Sequence, residues 1–198
     1  MLCHANFDYE DNRVSFEQFG AMKASGELPL GSLPMWVEDG FKTVQSNAIL
    51  RSLAIRLGYY HEDPIITWNI DSLLDYMEDM QGKKQTYMSP ILGGGAPGED
   101  GSQEWIDTYY GAIFDILEKR MAAHGKNFVG GTDRPTCADF KVFSSMSDTI
   151  YNSASPIPAS ILDRVRAKMA EFACVKRWAD CMAQECQRYL SERPPRPC

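Results

Sequence analysis

None of the six cysteines (Cys3, Cys137, Cys174, Cys181, Cys186, Cys198) is spaced from another as CxxC. A dithiol redox site or a paired zinc finger needs that spacing, so a thioredoxin-type oxidoreductase and a structural zinc site are set aside. Histidine is scarce as well: His4, His61 and His124 lie far apart with no ligand spacing, and no metal is assigned. A basic surplus is missing, with 20 Lys and Arg against 27 Asp and Glu and a net charge of −7. That balance argues against nucleic acid or an anionic membrane as partner, since both reward a basic face. No apolar run is long enough to span a bilayer. The opening "MLCHANFDYEDNRV" lacks the basic and apolar regions of a signal peptide, so a cytoplasmic protein with reduced, mostly buried thiols is expected. The glycine-rich "GGGAPGEDGS" (Gly93–Ser102) lacks GK[ST] and follows no strand, so it reads as a connector rather than a phosphate cradle.

What remains is ordinary globular material: 198 residues, 44% hydrophobic, 24% charged and 11% aromatic, enough for one or two domains. Texture changes near residue 60. Before it, Asn6–Val14 reads as a short strand, and "PMWVEDGFKTV" (Pro34–Val44) as a hairpin turning at Asp39-Gly40. A helix comes next with Ile49, Leu50, Leu53, Ala54 and Leu57 on one face, ending near Gly58. After it, strand signals vanish. Helices are expected over Ile65–Gln81 (extended toward Leu92), Gln103–His124, Thr136–Tyr151, Pro158–Phe172 and Val175–Glu192. Ile70, Leu73, Leu74, Met77 and Met80, and later Val175, Trp178, Met182 and Leu190, fall at helical spacing and read as core. The tail "RPPRPC" cannot continue a helix. The expected division is a small α/β domain over residues 1–60 and an all-helical one over 61–198.

Two details of the first part point to a ligand. A cis Leu33–Pro34 bond, although X-Pro bonds are mostly trans, would turn the Leu33 backbone outward with N–H and C=O open to a peptide-like molecule. We read Pro34 as a structural cis-proline. Gln45 and Ser46 fall at a helix N-terminus, where unpaired N–H groups and the dipole favour a carboxylate. A plain N-cap accounts for the serine, but not for the Gln-Ser pair or the proline.

The stretch "SLPMWVEDGFKTVQSNAILRSLAIRLG" resembles the glutathione-binding segment of cytosolic glutathione S-transferases, nearest the pi, mu and sigma classes. "NFVGGTDRPTCADFKVF" resembles the same family's entry to a buried helix, where Thr136 and Asp139 make an [ST]-x-x-[DE] capping box worth on the order of 1 kcal/mol. The resemblance covers essentially the whole chain. It implies a thioredoxin-like N-terminal domain that holds glutathione, an all-helical C-terminal domain, a homodimer, and attack of the glutathione thiolate on a small electrophile. It assigns Leu33 to backbone pairing with the cysteinyl part of glutathione, Gln45 and Ser46 to the γ-glutamyl end, and Lys23 to the glycyl carboxylate. Phe19 stands where these classes usually carry tryptophan, and Asp75 where pi-like enzymes place an acid reaching the partner subunit's glutathione. A solvated charge remains the alternative reading of Lys23 and Asp75, and ordinary packing that of Phe19.

Ser32 departs from the family's usual amide residue, and Leu30 replaces an aromatic used as a dimer key. The resemblance also places a first strand and first helix ahead of "LCHANFDYEDNRV", and that region carries the family's thiol-activating residue. Within the chain Tyr9 matches the second strand and Cys3 the end of the first helix, so no catalytic residue is assigned. Weakened glutathione binding is expected, and a non-catalytic subunit of a larger assembly is the alternative. The electrophile is not legible; Tyr87, Tyr109 and Tyr110 are as compatible with core as with a pocket wall.

Overall fold

Short-range chemistry decides where each element begins. In the computed structural model, which describes the backbone of residues 1–92 and 99–193, Ser15 opens helix α1 (Phe16–Ala24) with a reciprocal capping box. Its hydroxyl accepts from the Gln18 N–H (3.1 Å), and the Gln18 side-chain oxygen accepts from the Ser15 N–H (2.6 Å). Strands β1 (Met35–Glu38) and β2 (Phe41–Val44) pair antiparallel in the register Met35↔Val44, Trp36↔Thr43, Val37↔Lys42 and Glu38↔Phe41. Asp39 (φ 49°) and Gly40 (φ 80°) both take positive φ, as a two-residue turn matched to strand twist requires. Helix α2 (Ser46–Leu57) ends on Gly58 at φ 77°, the left-handed cap for which glycine has no Cβ penalty. The Glu38 carboxylate ties hairpin to helix, accepting from Arg56 Nη1 (2.5 Å), Arg56 Nη2 (2.8 Å) and Trp36 Nε1 (3.1 Å).

Two compact units result, Met1–Tyr60 and His61–Cys198. The first differs from expectation in two places. Asn6–Val14 forms no strand: Met1–Asn6 is a series of turns, and residues 7–14 have no ladder partner among the described residues, whose sheet has two strands. Alternating side chains favour an extended chain, but a strand exists only where a neighbour completes its hydrogen bonds. Helix α1, conversely, is present without having been expected; its one local mark in the sequence is the short Ser15-x-x-Gln18 pattern.

In the second unit Asp63 and Pro64 start helix α3 (Pro64–Leu92), with the Asp63 carboxylate accepting from the Ile65 (2.8 Å) and Ile66 (3.2 Å) N–H groups. Ile70, Leu73, Leu74, Met77 and Met80 are all buried along it. The expected Gln103–His124 helix is three pieces: α4 (Glu99–Trp105), a π-helical stretch (Ile106–Gly111) and α5 (Ala112–His124). The widened turn ends at Gly111, where an added Cβ would sit 3.5 Å from the Ile106 carbonyl and 3.6 Å from Lys168 Cε. Of the expected connector Gly93–Ser102, residues 93–98 lie outside the described residues, and Glu99–Ser102 belong to α4.

Helices α6 (Cys137–Ser147) and α7 (Ala159–Ala170) come next, the former packing on α3. The expected Val175–Glu192 helix divides into α8 (Ala173–Glu185), packed on α5, and α9 (Gln187–Glu192), because Cys186 (φ −96°, ψ 8°) leaves the helical region. Leu190, past that break, is half-buried, whereas Val175, Trp178 and Met182 are fully inside. Cys137 and Cys186 are buried thiols, Cys3, Cys174 and Cys181 are half-buried, and Cys198 lies outside the described residues, as does the tail beyond Arg193. Among the described residues no helix is long and apolar enough to cross a membrane.

Candidate functional site

The hairpin register assembles the site. Because Met35 faces Val44, Pro34 and Gln45 are the next residues of their strands at the same open end of the hairpin, with Leu33 and Ser46 one residue beyond each. The Leu33–Pro34 peptide bond is cis. Neither the N–H nor the C=O of Leu33 meets a backbone partner among the described residues, and its side chain is 39% exposed. Gln45 holds φ 76°, ψ 107°, a conformation that non-glycine residues rarely adopt. Its carbonyl accepts the Ile49 N–H (3.0 Å), which begins α2, and no side chain caps that helix. Strained backbone of this kind persists where surrounding structure overdetermines it, and it concentrates at binding sites. Ser46 is an exposed residue at this uncapped terminus.

Lys23 and Phe19 come from α1, four residues apart and so on one helix face. The Lys23 stem runs past Gly31, where a Cβ would lie 3.6 Å from Lys23 Cε, two residues before Leu33. Its ammonium is exposed, with no ion pair among the described residues. Phe19 is half-buried. The first unit thus gathers a cation, a half-buried aromatic ring, an open backbone amide and an uncapped helix N-terminus. Those groups suit a ligand with peptide character and more than one carboxylate. The distortion at Gln45 and the Glu38–Arg56 link have no counterpart in what the sequence predicts. Positive φ at a glutamine leaves no compositional mark, and an ion pair 18 residues apart has none until the hairpin is placed.

The remaining sites are in the second unit. Asp75 is an exposed residue of α3. Thr136 and Asp139 are buried and make the reciprocal cap of α6: Asp139 Oδ2 accepts from the Thr136 N–H and hydroxyl (both 2.8 Å), while Thr136 Oγ1 meets the N3 backbone. Asp139 Oδ1 accepts from the Val129 N–H and from Trp178 Nε1 (both 2.9 Å). Burial pushes this carboxyl up, and its four hydrogen bonds pull it back. Tyr109 and Tyr110 are core residues and Tyr87 stacks on Trp105 at 4.2 Å. Burial raises the Tyr109 phenol to about 12, so it holds its proton at neutral pH.

No protein-family model matches the chain. Among curated proteins it is 32% identical over 191 residues to Probable glutathione S-transferase 7 of Caenorhabditis elegans, covering 91% of this chain and 87% of that protein. It is also 30% identical over 145 residues to Glutathione S-transferase 2 of the same nematode, covering 72% and 75% respectively. Among solved structures, a C. elegans glutathione S-transferase superposes with a TM-score of 0.80 at 25% identity over 100% of this chain and 90% of that one. A glutathione S-transferase from the hookworm Necator americanus, described as monomeric, superposes at 0.82 with 22% identity and the same coverage. The fold is therefore the family's thioredoxin-like domain joined to a helical domain, and the chain belongs to the glutathione S-transferase family.

Proposed function

We propose that the open end of the hairpin holds glutathione and that, where the family's first strand and helix with their thiol-activating residue complete the domain, the protein conjugates its thiolate to small electrophiles. The observation that supports this reading is the Met35↔Val44 pairing, from which the open Leu33 backbone and the uncapped terminus at Gln45-Ser46 both lie at one end of the hairpin. The cysteinyl part of glutathione pairs with the Leu33 N–H and C=O as a short added strand. Its γ-glutamyl carboxylate accepts from the Ser46 N–H and hydroxyl, where the helix dipole favours negative charge. Lys23 takes the glycyl carboxylate, and Phe19 packs against the same end. Asp75 is assigned to the partner subunit's glutathione in a homodimer. With glutathione so held, its sulfur is oriented for displacement of a leaving group such as chloride from an activated aryl chloride. The C–S bond forms as C–Cl breaks, and chloride departs with the electron pair.

Calorimetric titration with glutathione, followed by thioether formation from an aryl chloride, tests the proposal. Ser46→Ala is expected to raise the glutathione Kd about 3- to 10-fold by removing one hydroxyl donor. Lys23→Ala is expected to weaken binding by a similar factor, diminishing with salt. Glutathione binding that ignores both variants would place the ligand elsewhere.

A further inference from the structure

Helix α2 offers one end to the candidate site and is held at the other. Its buried residues, Leu53 and Ala54, fall within the last five of its twelve positions, and Gly58 closes it. The Ser46 end has no side-chain cap and is exposed. Its link back to β2 is Gln45, whose φ of 76° lies where non-glycine residues rarely settle. That residue would relax if α2 were free to turn, so something beyond it must hold the helix in place. Ser46 stands about 15 Å from Arg56 along a helix rising about 1.5 Å per residue. With Leu53 and Ala54 as the packed fulcrum, Arg56 is on the short arm and Ser46 on the long one. A shift at Arg56 is therefore amplified at Ser46.

The hairpin grips that short arm. Glu38 is the last residue of β1 and Leu33 precedes its first, so the grip is at the turn end and the candidate site at the open end. Glu38 Oε2 accepts from Arg56 Nη1 (2.5 Å) and Oε1 from Arg56 Nη2 (2.8 Å), a two-bond fork that fixes orientation as well as distance. Trp36 Nε1 donates to the same Oε2 (3.1 Å) and orients the carboxylate. Arg56 Cζ also lies 5.9 Å from the centre of the Phe7 ring, which is itself 6.2 Å from the Trp36 ring. Three segments of the first unit thus converge on one guanidinium. An ion pair between groups that both reach solvent contributes little to stability, but a planar fork constrains position.

We propose that Glu38 and Arg56 are positioning residues for glutathione: by fixing the tilt of α2 on the hairpin, they set where the Ser46 N–H and hydroxyl meet the γ-glutamyl carboxylate. The assignment rests on the glutathione reading and adds to it two residues that act through α2 rather than on the ligand.

The test is calorimetric titration of the full chain with glutathione, applied to single and double variants. Arg56→Met, which keeps an apolar stem but opens the fork, is expected to raise the glutathione Kd about 3- to 10-fold, the effect of one misplaced hydrogen bond. Arg56→Lys and Glu38→Gln each keep part of the contact and are expected to fall between. The decisive readout is coupling. In a Ser46→Ala background Arg56→Met is expected to lose at least about half of its effect, because part of what it displaces is already gone. In a Lys23→Ala background it should keep its full effect. A general loosening of the unit would act equally in both. If Arg56→Met fails to fold, Glu38→Gln in the same two backgrounds carries the comparison. A wild-type protein that binds glutathione with a Kd that neither variant changes, or changes that are equal in the two backgrounds, overturns the assignment and leaves the glutathione reading standing. A wild-type protein that does not bind glutathione overturns that reading, and the assignment with it.

Discussion

Across the first sixty residues the buried apolar side chains are Leu28, Val44, Leu53 and Ala54, whereas from Ile70 to Cys186 nearly every inward helix position is filled by a large apolar group. The three larger of these, Leu28, Val44 and Leu53, contribute only about 1.5–3 kcal/mol each. The first unit is shaped instead by local devices: a capping box at Ser15, a turn at Asp39-Gly40, a glycine cap at Gly58 and the Glu38–Arg56 link. It also leaves Phe16, Val37, Phe41 and Ile55 exposed. The second unit places its aromatic residues inside, where Trp105, Tyr109, Tyr110 and Phe114 contact one another. The contrast amounts to a division of labour. The Leu33 backbone, with no backbone partner among the described residues, lies in the unit with little core, and the element with most buried polar chemistry lies in the other.

This contrast is most exposed to test at Asp139. Replacing it by Ala strips the acceptor from Trp178 Nε1, the Val129 N–H, and the Thr136 N–H and hydroxyl, all inside the protein. Each orphaned donor costs about 1–3 kcal/mol, partly relieved by local rearrangement, so a loss of about 3–5 kcal/mol is expected by urea denaturation. Asp139→Asn keeps one acceptor oxygen and is expected to fall between. A loss under about 1 kcal/mol for the alanine variant would mean that the buried cap is not what organises α6.

That cap is legible in the sequence, because Thr136-x-x-Asp139 is a local pattern with a local mechanism. The same holds for the Asp39-Gly40 turn and the stripe from Ile70 to Met80. The Asn6–Val14 strand misleads because apolar alternation states a preference that only a neighbouring strand can fulfil. The long helix over Gln103–His124 has the right period, but its register slips at the π-helical turn, and a one-residue widening is invisible to periodicity. The split at Cys186 is of the same kind, set by packing rather than by a breaker residue. At the candidate site, residue types are readable from the Leu-Pro and Gln-Ser pairs. Their juxtaposition needs the register, and the Gln45 distortion needs the backbone.

A smaller effect is expected at Glu118 in the same unit. Its carboxylate, on α5, accepts from the Cys174 (2.9 Å) and Val175 (3.1 Å) N–H groups and so caps α8 from a neighbouring helix. Glu118→Ala is expected to cost about 1–2 kcal/mol in thermal or urea unfolding, with Glu118→Gln recovering part of it. If alanine and glutamine behave alike, the carboxylate's charge rather than its acceptor geometry is what α8 uses. In the first unit Gly40→Ala should cost about 1 kcal/mol, since φ 80° is closed to alanine although no atom lies within 4 Å of the added Cβ. A cost above that of Asp139→Ala would reverse the contrast between the units.

The smallest effect, and the one that best isolates the first unit, is the pH dependence of the Glu38 link. Hydrogen bonds from Arg56, then from Trp36, hold the Glu38 carboxyl at about 2, well below its ordinary value of 4.5. A carboxyl whose pKa is lower folded than unfolded stabilises the fold above the unfolded value, and that contribution fades as pH falls through the folded one. The stabilisation should therefore be complete above about pH 5, decline between pH 4.5 and about 2, and be gone below. Glu38→Gln removes the titration while keeping an acceptor for the indole. The stability difference between wild type and this variant, measured by denaturation at a series of pH values, is expected to be modest at about pH 7, because both partners reach solvent. It should shrink to nothing across the same acid window. A difference that stays constant down to about pH 2 would show that Glu38 acts through shape and not through charge.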